Sequence, residues 1–160
     1  MEQYTTYDAL GRVIQQSVPY TVAQYVDATY NGLVVTPYNL PDTGQPQTTT
    51  QYDPLGRTTQ VTAPDNTATR LYYNGRASAV VDANNHLKIS EVDGLGQLIK
   101  VKEFTGATSG APNWSTTPYA TTQYVYDALG NLSTVTDHLG NVTTMTVSYT
   151  HLTLPTKRIV

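Results

Sequence analysis

The chain has 160 residues, with 9 Lys and Arg against 12 Asp and Glu for a formal net charge of −3, and it has 0 Cys. That balance leaves no basic footprint for nucleic acid, and the missing thiols exclude disulfides, thiolate metal sites and a cysteine nucleophile. Charged residues are 13% of the chain, against about 25% in an average globular domain, and 13 Tyr stand beside 1 Phe and 1 Trp.

Tyr, Thr and Val suit a pleated, half-buried surface, and no stretch carries the i, i+3, i+4, i+7 apolar stripe of a capped helix. The expected elements are therefore strands. The first, Thr5 to Tyr7, runs into Tyr7-Asp8-Ala9-Leu10-Gly11-Arg12 and is followed by Val13 to Val18. Pro19 to Gln47 then interrupts the rhythm with Pro19, Pro37, Pro41, Pro46, Gly32 and Gly44, and reads as an elongated hairpin or surface loop. Within it Leu33-Val34-Val35, flanked by Tyr25, Tyr30 and Tyr38, suggests an extra pair of strands. Thr48 to Tyr52 leads into Tyr52-Asp53-Pro54-Leu55-Gly56-Arg57, then Thr58 to Thr62, a turn at Ala63-Pro64-Asp65-Asn66, and Ala68 to Tyr73.

Tyr73-Asn74-Gly75-Arg76 is a contracted relative of the same phrase, followed by Ala77 to Val81 and a turn at Val81-Asp82-Ala83-Asn84-Asn85. Leu87 to Ile89 precedes a looser copy, Val92-Asp93-Gly94-Leu95-Gly96-Gln97. In Leu98 to Lys102, alternation places Ile99 and Val101 on one face and Lys100 and Lys102 on the other. A second interruption, Gly106 to Pro118, reads as an elongated hairpin or surface loop and holds Trp114, which is expected to fold back onto a sheet face, with a binding loop as the alternative. Thr121 to Tyr126 enters Tyr126-Asp127-Ala128-Leu129-Gly130-Asn131, then Leu132 to Thr136, a turn at Thr136-Asp137-His138-Leu139-Gly140-Asn141, and an alternating run from Val142 to Val147.

The recurring phrase has the chemistry of a hairpin turn. An Asp at the first turn position accepts from a backbone N–H two residues on, and Gly supplies the positive φ where the chain re-enters the second strand as a bulge. Gly11, Gly56, Gly96 and Gly130 are therefore expected to be left-handed. Steps from Asp53 to Asp65, from Asp82 to Asp93 and from Asp127 to Asp137 run 12, 11 and 10 residues, the strand-turn spacing of an all-β meander. A short unit that recurs cannot bury its apolar face alone and stacks on its neighbours.

Catalytic signals are thin. His86, His138 and His151 occur singly, without the spacing that holds zinc, and read as turn or surface histidines. Each turn supplies one Asp, too few oxygens for a calcium loop. No Gly-x-Ser-x-Gly elbow and no phosphate-cradling Gly loop occurs. No catalytic residue, metal ligand or cofactor is expected. Arg12, Arg57 and Arg76 close repeat turns and are expected to stack on a Tyr or pair with an acid of the adjacent copy. The periodic Tyr residues read as a structural ladder, with carbohydrate binding on their faces as the alternative.

With those residues in hand, the Tyr-Asp-x-x-Gly-Arg copies resemble the YD-repeats of bacterial Rhs proteins, of the B and C components of insecticidal toxin complexes, and of animal teneurins. The resemblance covers roughly residues 1 to 147. It implies antiparallel β-hairpin repeats forming part of a spiralling β-sheet shell, a secreted or cell-surface location, and partners in the remaining repeats and a C-terminal cargo. The structural positions it marks are Tyr7, Asp8, Gly11 and Arg12, then Tyr52, Asp53, Gly56 and Arg57, then Asp93 and Gly96, then Tyr126, Asp127 and Gly130. Asp53-Pro54-Leu55-Gly56 looks like the self-cleavage phrase found where an Rhs shell ends. Arg57 follows it where a Leu is usual, and repeats continue downstream, so Asp53 is assigned to a turn and no autoproteolysis is expected.

The repeat pattern raises the expectation that this is a piece of a longer chain. No run of 18 apolar residues occurs, so no membrane-spanning helix is expected. Residues 148 to 160 carry no repeat residue and resemble translated sequencing-adapter read-through, with a genuine exit segment carrying Lys157-Arg158 as the rival reading.

Overall fold

The computed structural model describes residues 1–21, 28–30, 33–35 and 44–145, and every regular element among them is a strand. In chain order these are β1 (Thr5–Tyr7), β2 (Val13–Ser17), β3 (Ala28–Tyr30), β4 (Leu33–Val35), β5 (Gln47–Tyr52), β6 (Thr58–Thr62) and β7 (Ala68–Asn74). They continue as β8 (Ala77–Val81), β9 (Leu87–Val92), β10 (Leu98–Glu103), β11 (Ala120–Tyr126), β12 (Leu132–Thr136) and β13 (Val142–Thr144). Eleven of these strands form one sheet in the order β1-β2-β5-β6-β7-β8-β9-β10-β11-β12-β13, so each strand pairs with its sequence neighbour except that β2 passes over β3 and β4 to pair with β5. The fold is all-β, a series of consecutive antiparallel hairpins in an open, uncurled sheet. β3 and β4 pair antiparallel as a separate two-stranded hairpin inside the first interruption.

Most expected strands lie within a residue or two of their observed ends. β9 runs three residues beyond Ile89 to Val92, where Val92 N–H reaches the Arg76 carbonyl at 3.0 Å. β2 stops at Ser17, although Val18 N–H still reaches the Pro46 carbonyl at 2.9 Å. The strand expected over Val142 to Val147 is described only as Val142–Thr144. Tyr25, Tyr38, Pro37, Pro41 and the tail from 148 to 160 lie outside the described residues.

The register slips by one residue beside each repeat turn, between Thr6 and Tyr7, Gln51 and Tyr52, Leu98 and Lys100, and Val125 and Tyr126. Each slip leaves one extra residue on the strand that leaves the turn, at Ile14, Thr59, Ile99 and Ser133, a bulge that adds local twist. The contracted turn differs. Asn74 pairs directly with Ala77, leaving Gly75 and Arg76 as a two-residue loop, and Gly75 takes the first central position with φ 60°, where a positive φ matches the twist of the flanking strands.

Apolar packing is concentrated at one place. Ala79, Val81, Leu87 and Ile89 are the buried cluster, with Ala79 opposite Ile89 and Val81 opposite Leu87 across β8 and β9. Alternation puts all four on the same face. Tyr72, Ala77, Phe104 and Trp114 pack against them. Trp114 thus folds back onto a sheet face, held by the connection between β10 and β11. Phe104 N–H bonds the Leu87 carbonyl at 3.3 Å, Thr108 N–H the Asn85 carbonyl at 2.8 Å, and Tyr119 N–H the Glu103 carbonyl at 2.8 Å.

Lys100 and Lys102 share this face, because Lys102 stands opposite Ile89 and Lys100 opposite Glu91. Their charges are answered locally: Lys102 Nζ bonds Glu91 Oε1, and Lys100 Nζ lies 3.9 Å from Glu91 Oε2. Their stems extend the apolar patch while the ammonium groups meet the carboxylate.

Ile89 is 1% exposed and Val80, on the opposite face, is 37% exposed. Ile89→Ala is expected to lower the unfolding free energy by about 2–5 kcal/mol, and Val80→Ala by under about 1 kcal/mol. Urea denaturation of both variants measures this, and equal losses would show that the cluster does not anchor the sheet.

Candidate functional site

The repeat turns form the most regular feature of the molecule. In the first copy Asp8 N–H bonds the Arg12 carbonyl at 2.9 Å and Gly11 N–H bonds the Asp8 carbonyl at 3.0 Å. The Asp8 side chain divides its two oxygens. Oδ1 accepts from Leu10 N–H at 2.9 Å and Arg12 N–H at 3.0 Å, while Oδ2 accepts from Arg12 Nε at 2.7 Å. Asp53 repeats the pattern with Leu55, with the Arg57 amide and with the Arg57 guanidinium. Asp127 and Asp137 do so with Leu129 and Asn131 and with Leu139 and Asn141, where the Asn amide replaces the guanidinium. Asp93 holds the Leu95 and Gln97 amides. An amide in place of the Asp would turn a donor toward the guanidinium, so the carboxylate is what the clamp requires.

The clamp closes only if the fourth turn residue is left-handed. Gly11, Gly56, Gly96 and Gly130 have φ of 78°, 82°, 82° and 83°, and at the opposite edge Asn66 and Asn85 take the same role with φ 66° and 64°. Asn is among the few non-Gly residues that adopt this region readily. Gly56 also faces the Arg12 guanidinium, which lies 3.4 Å from where a Cβ would stand.

Successive copies are joined by the tyrosines and the residue that closes each turn. The Arg12 guanidinium lies 4.4 Å above the Tyr52 ring and that of Arg57 lies 4.2 Å above the Tyr73 ring. Tyr52 Oη donates to the Val13 carbonyl, Tyr73 Oη to the Thr58 carbonyl and Tyr126 Oη to the Leu98 carbonyl, each at 2.9 Å. In every case the acceptor is the residue just after the one that closes the preceding turn. Where Gln97 replaces Arg, its Nε2 donates to the Gly130 carbonyl of the next copy at 3.3 Å.

The arginines therefore do stack on a Tyr of the next copy. The acid they pair with, however, belongs to their own turn: Arg12 Nη2 is 2.6 Å from Asp8 Oδ2 and Arg57 Nη2 is 2.7 Å from Asp53 Oδ2. The four-residue separation across the turn brings acid and base together before the neighbouring hairpin comes within reach. Arg76, closing the contracted turn, is exposed and joins neither arrangement among the described residues. Tyr7 ends β1 and is 57% exposed.

The turn hydrogen bonds hold Asp8, Asp53, Asp82, Asp127 and Asp137 below the ordinary value of 3.8. For Asp8 the leading cause is the Arg12 backbone amide, for Asp82 the His86 amide, and for Asp127 and Asp137 the side chains of Asn131 and Asn141. At Asp53 partial desolvation opposes the shift and is outweighed by the bonds from Arg57. Such carboxylates are poor general acids or bases at neutral pH. His86 occupies the closing position of its turn, with its amide 2.8 Å from Asp82 Oδ1 and its Nδ1 3.3 Å from Oδ2. Among the described residues no group of three or more His, Cys, Asp and Glu could hold a metal ion.

No family model and no curated protein matches this chain. The fold, however, has a counterpart. The crystal structure of TcdB2-TccC3-TEV is similar over 84% of this chain, with a TM-score of 0.60 and 21% sequence identity. This chain spans 7% of the length of that one. The likeness is one of fold: a short run of antiparallel hairpins that recurs inside a much longer chain.

What the sequence reading missed is the acceptor of each Tyr hydroxyl. The signal lay in the constant order of the phrase, since the Tyr of one copy always meets the strand that leaves the preceding turn.

Asp8, Asp53, Asp82, Asp127 and Asp137 also fix the acid response. Their protons bind more weakly in the folded chain than in the unfolded chain, so their stabilisation is complete above 3.8 and is lost as pH falls through their lower folded values. Thermal unfolding is expected to be flat above about pH 5 and to weaken between about pH 4 and pH 2, with a shallower fall in Asp8→Asn and Asp127→Asn. Equal stability at both ends of that range, or identical slopes in the variants, would contradict this assignment.

Proposed function

We propose that this chain is a non-catalytic segment of the wall of an encapsulating β-shell of the Rhs and toxin-complex kind, which sequesters a C-terminal toxin or effector until release. The observation that carries the reading is the fold likeness to TcdB2-TccC3-TEV, a toxin-complex component, together with the copy-to-copy stitch of Tyr, Arg and Asp. The mechanism is steric. Hydrogen-bonded strands close off space, and the side chains that repeat most faithfully are spent on turns and stitches.

A second observation supports a larger wall. The turns of β1–β2, β5–β6, β9–β10 and β11–β12 all lie along the same edge of the sheet. Each presents a Leu at its third position, and Leu10, Leu55, Leu95 and Leu129 are 76% to 85% exposed. Turn geometry does not require Leu there, and a row of exposed apolar side chains marks a surface that another surface covers. Neighbouring wall of the same shell is that cover. On this reading the protein acts outside the cell or at its surface, with the remaining repeats and the cargo as its partners.

The test uses the natural polypeptide that contains this segment, imaged by electron microscopy and probed by limited proteolysis. A hollow particle whose C-terminal domain resists protease until the wall is opened is the expected result. An extended, open sheet whose downstream domain is digested at the rate of a free domain would overturn the reading.

A further inference from the structure

The contracted turn between β7 and β8 carries the pair Asn74-Gly75, which the stitch between copies leaves unused. Asn74, Gly75 and Arg76 are all exposed, and nothing lies within 4 Å of the position a Cβ would take at Gly75. Asn74 pairs with Ala77 as the last rung of the hairpin. Its side-chain amide and the Gly75 N–H make no hydrogen bond among the described residues.

Every other described asparagine is held back by its own turn. At Asn66 and Asn85 the following amide is taken, since Thr67 N–H bonds Asp65 Oδ1 at 3.0 Å and His86 N–H bonds Asp82 Oδ1 at 2.8 Å. Asn84 is followed by the Asn85 N–H, which bonds the Asp82 carbonyl at 2.9 Å. Asn131 and Asn141 spend their side-chain amides on Asp127 and Asp137, and the branched residue after each already belongs to a strand. Asn113 Oδ1 accepts from Ser115 N–H at 3.0 Å, and the bulky Trp114 follows it. Among the described residues, an unheld side-chain amide meets an unheld following N–H, with no side chain to separate them, at Asn74.

We propose that Asn74 is a spontaneous modification site, at which the chain converts its own asparagine to aspartate and isoaspartate. The Gly75 nitrogen gives its proton to hydroxide and attacks Asn74 Cγ. The new N–C bond closes a five-membered imide as the bond to Nδ2 breaks and ammonia leaves. Water then opens the imide at either carbonyl, so that one route gives aspartate and the other isoaspartate, in which the main chain runs through the former side chain. Asparagine is among the chemically labile residues. The glycine after it has no Cβ to crowd the attacking nitrogen, and its backbone passes freely through the conformations that ring closure requires. Isoaspartate lengthens the main chain within the Asn74–Ala77 rung, on the hairpin that supplies Ala79 and Val81 to the buried cluster. That altered linkage is what an isoaspartyl O-methyltransferase recognises, so enzymes of this class are the partner the product fits. The site stands independently of the shell reading, since it uses neither the stitch nor the row of exposed Leu.

Peptide mapping by mass spectrometry tests the site on the full 160-residue chain, held folded in mildly alkaline buffer and, in parallel, unfolded in urea. Isoaspartyl methyltransferase with a labelled methyl donor reads the isoaspartate. The expected result is conversion at Asn74 in the folded chain, while the other asparagines named above stay intact until the chain is unfolded. Gly75→Ala slows the reaction by roughly tenfold, equivalent to about 1.4 kcal/mol in the barrier, and Asn74→Gln abolishes methylation at this position. Far-UV circular dichroism of each variant checks that the sheet is intact. Asn74 that persists in the folded chain, conversion there no faster than at the other named asparagines, or an unchanged rate in folded Gly75→Ala would overturn the proposal.

Discussion

A sheet with two open ends and little buried apolar surface has to hold its hairpins in place by something other than a core. Among the described residues the buried apolar side chains are Tyr4, Ala79, Val81, Leu87, Ile89 and Pro112. Four of them belong to a single patch on β8 and β9, so hydrophobic burial is concentrated in the middle of the sheet, with Tyr4 buried beside Ser17 at the β1–β2 end. Elsewhere the constraint is the junction between copies. A carboxylate fixes the guanidinium of its own turn, the guanidinium lies on the Tyr ring of the next hairpin, and that Tyr hydroxyl returns to the strand leaving the first turn. Each group orders the one after it. A planar guanidinium held by two bonds to Asp has little conformational freedom left to lose when the Tyr ring covers it.

This arrangement explains why the phrase keeps its order. Asp must precede the closing residue by four positions for one carboxylate to reach both its amide and its side chain. A residue that adopts a positive φ, Gly in the repeat phrase and Asn85 in the Asp82 turn, must stand between them because the clamp needs it. At Gly56 it also leaves room for the Arg12 guanidinium arriving from the preceding copy. Tyr must end the strand, beside the bulge, for its hydroxyl to reach across to the neighbouring hairpin. Substitutions at the closing position keep the logic when they keep a donor. Asn131 and Asn141 return to their Asp, and Gln97 reaches forward to Gly130 instead.

The hairpins, their turns and the left-handed glycines were legible because each follows from local chemistry: an Asp that bonds its own backbone, a Gly that supplies φ, and alternation over a few residues. Pairing within each short hairpin was legible for the same reason, whereas the pairing of β2 with β5 across the first interruption and of β10 with β11 across the second was not. Less legible were relations that cross between hairpins. Nothing local to Tyr52 says that its hydroxyl finds Val13, thirty-nine positions earlier. Nothing local to Lys102 says that it shares a face with Ile89, which depends on the bulge beside Leu98. The Lys88–Glu103 pair joins two strands, and nothing local to either residue says that they stand opposite each other. The arginines illustrate both sides. Their stacking on a neighbouring Tyr follows from residue type, whereas the choice of acid depends on turn geometry that places their own Asp nearer.

The central claim is that the closing Arg and the next copy's Tyr are energetically coupled across the junction. A double-mutant cycle on Arg57 and Tyr73, using Arg57→Ala, Tyr73→Leu and the double variant, measures that coupling by chemical denaturation. The pair lies 4.2 Å from guanidinium carbon to ring centroid, and the account predicts a favourable coupling of about 0.5–2 kcal/mol. Additive losses, with a coupling below about 0.3 kcal/mol, would contradict it and leave backbone pairing alone to hold one repeat to the next.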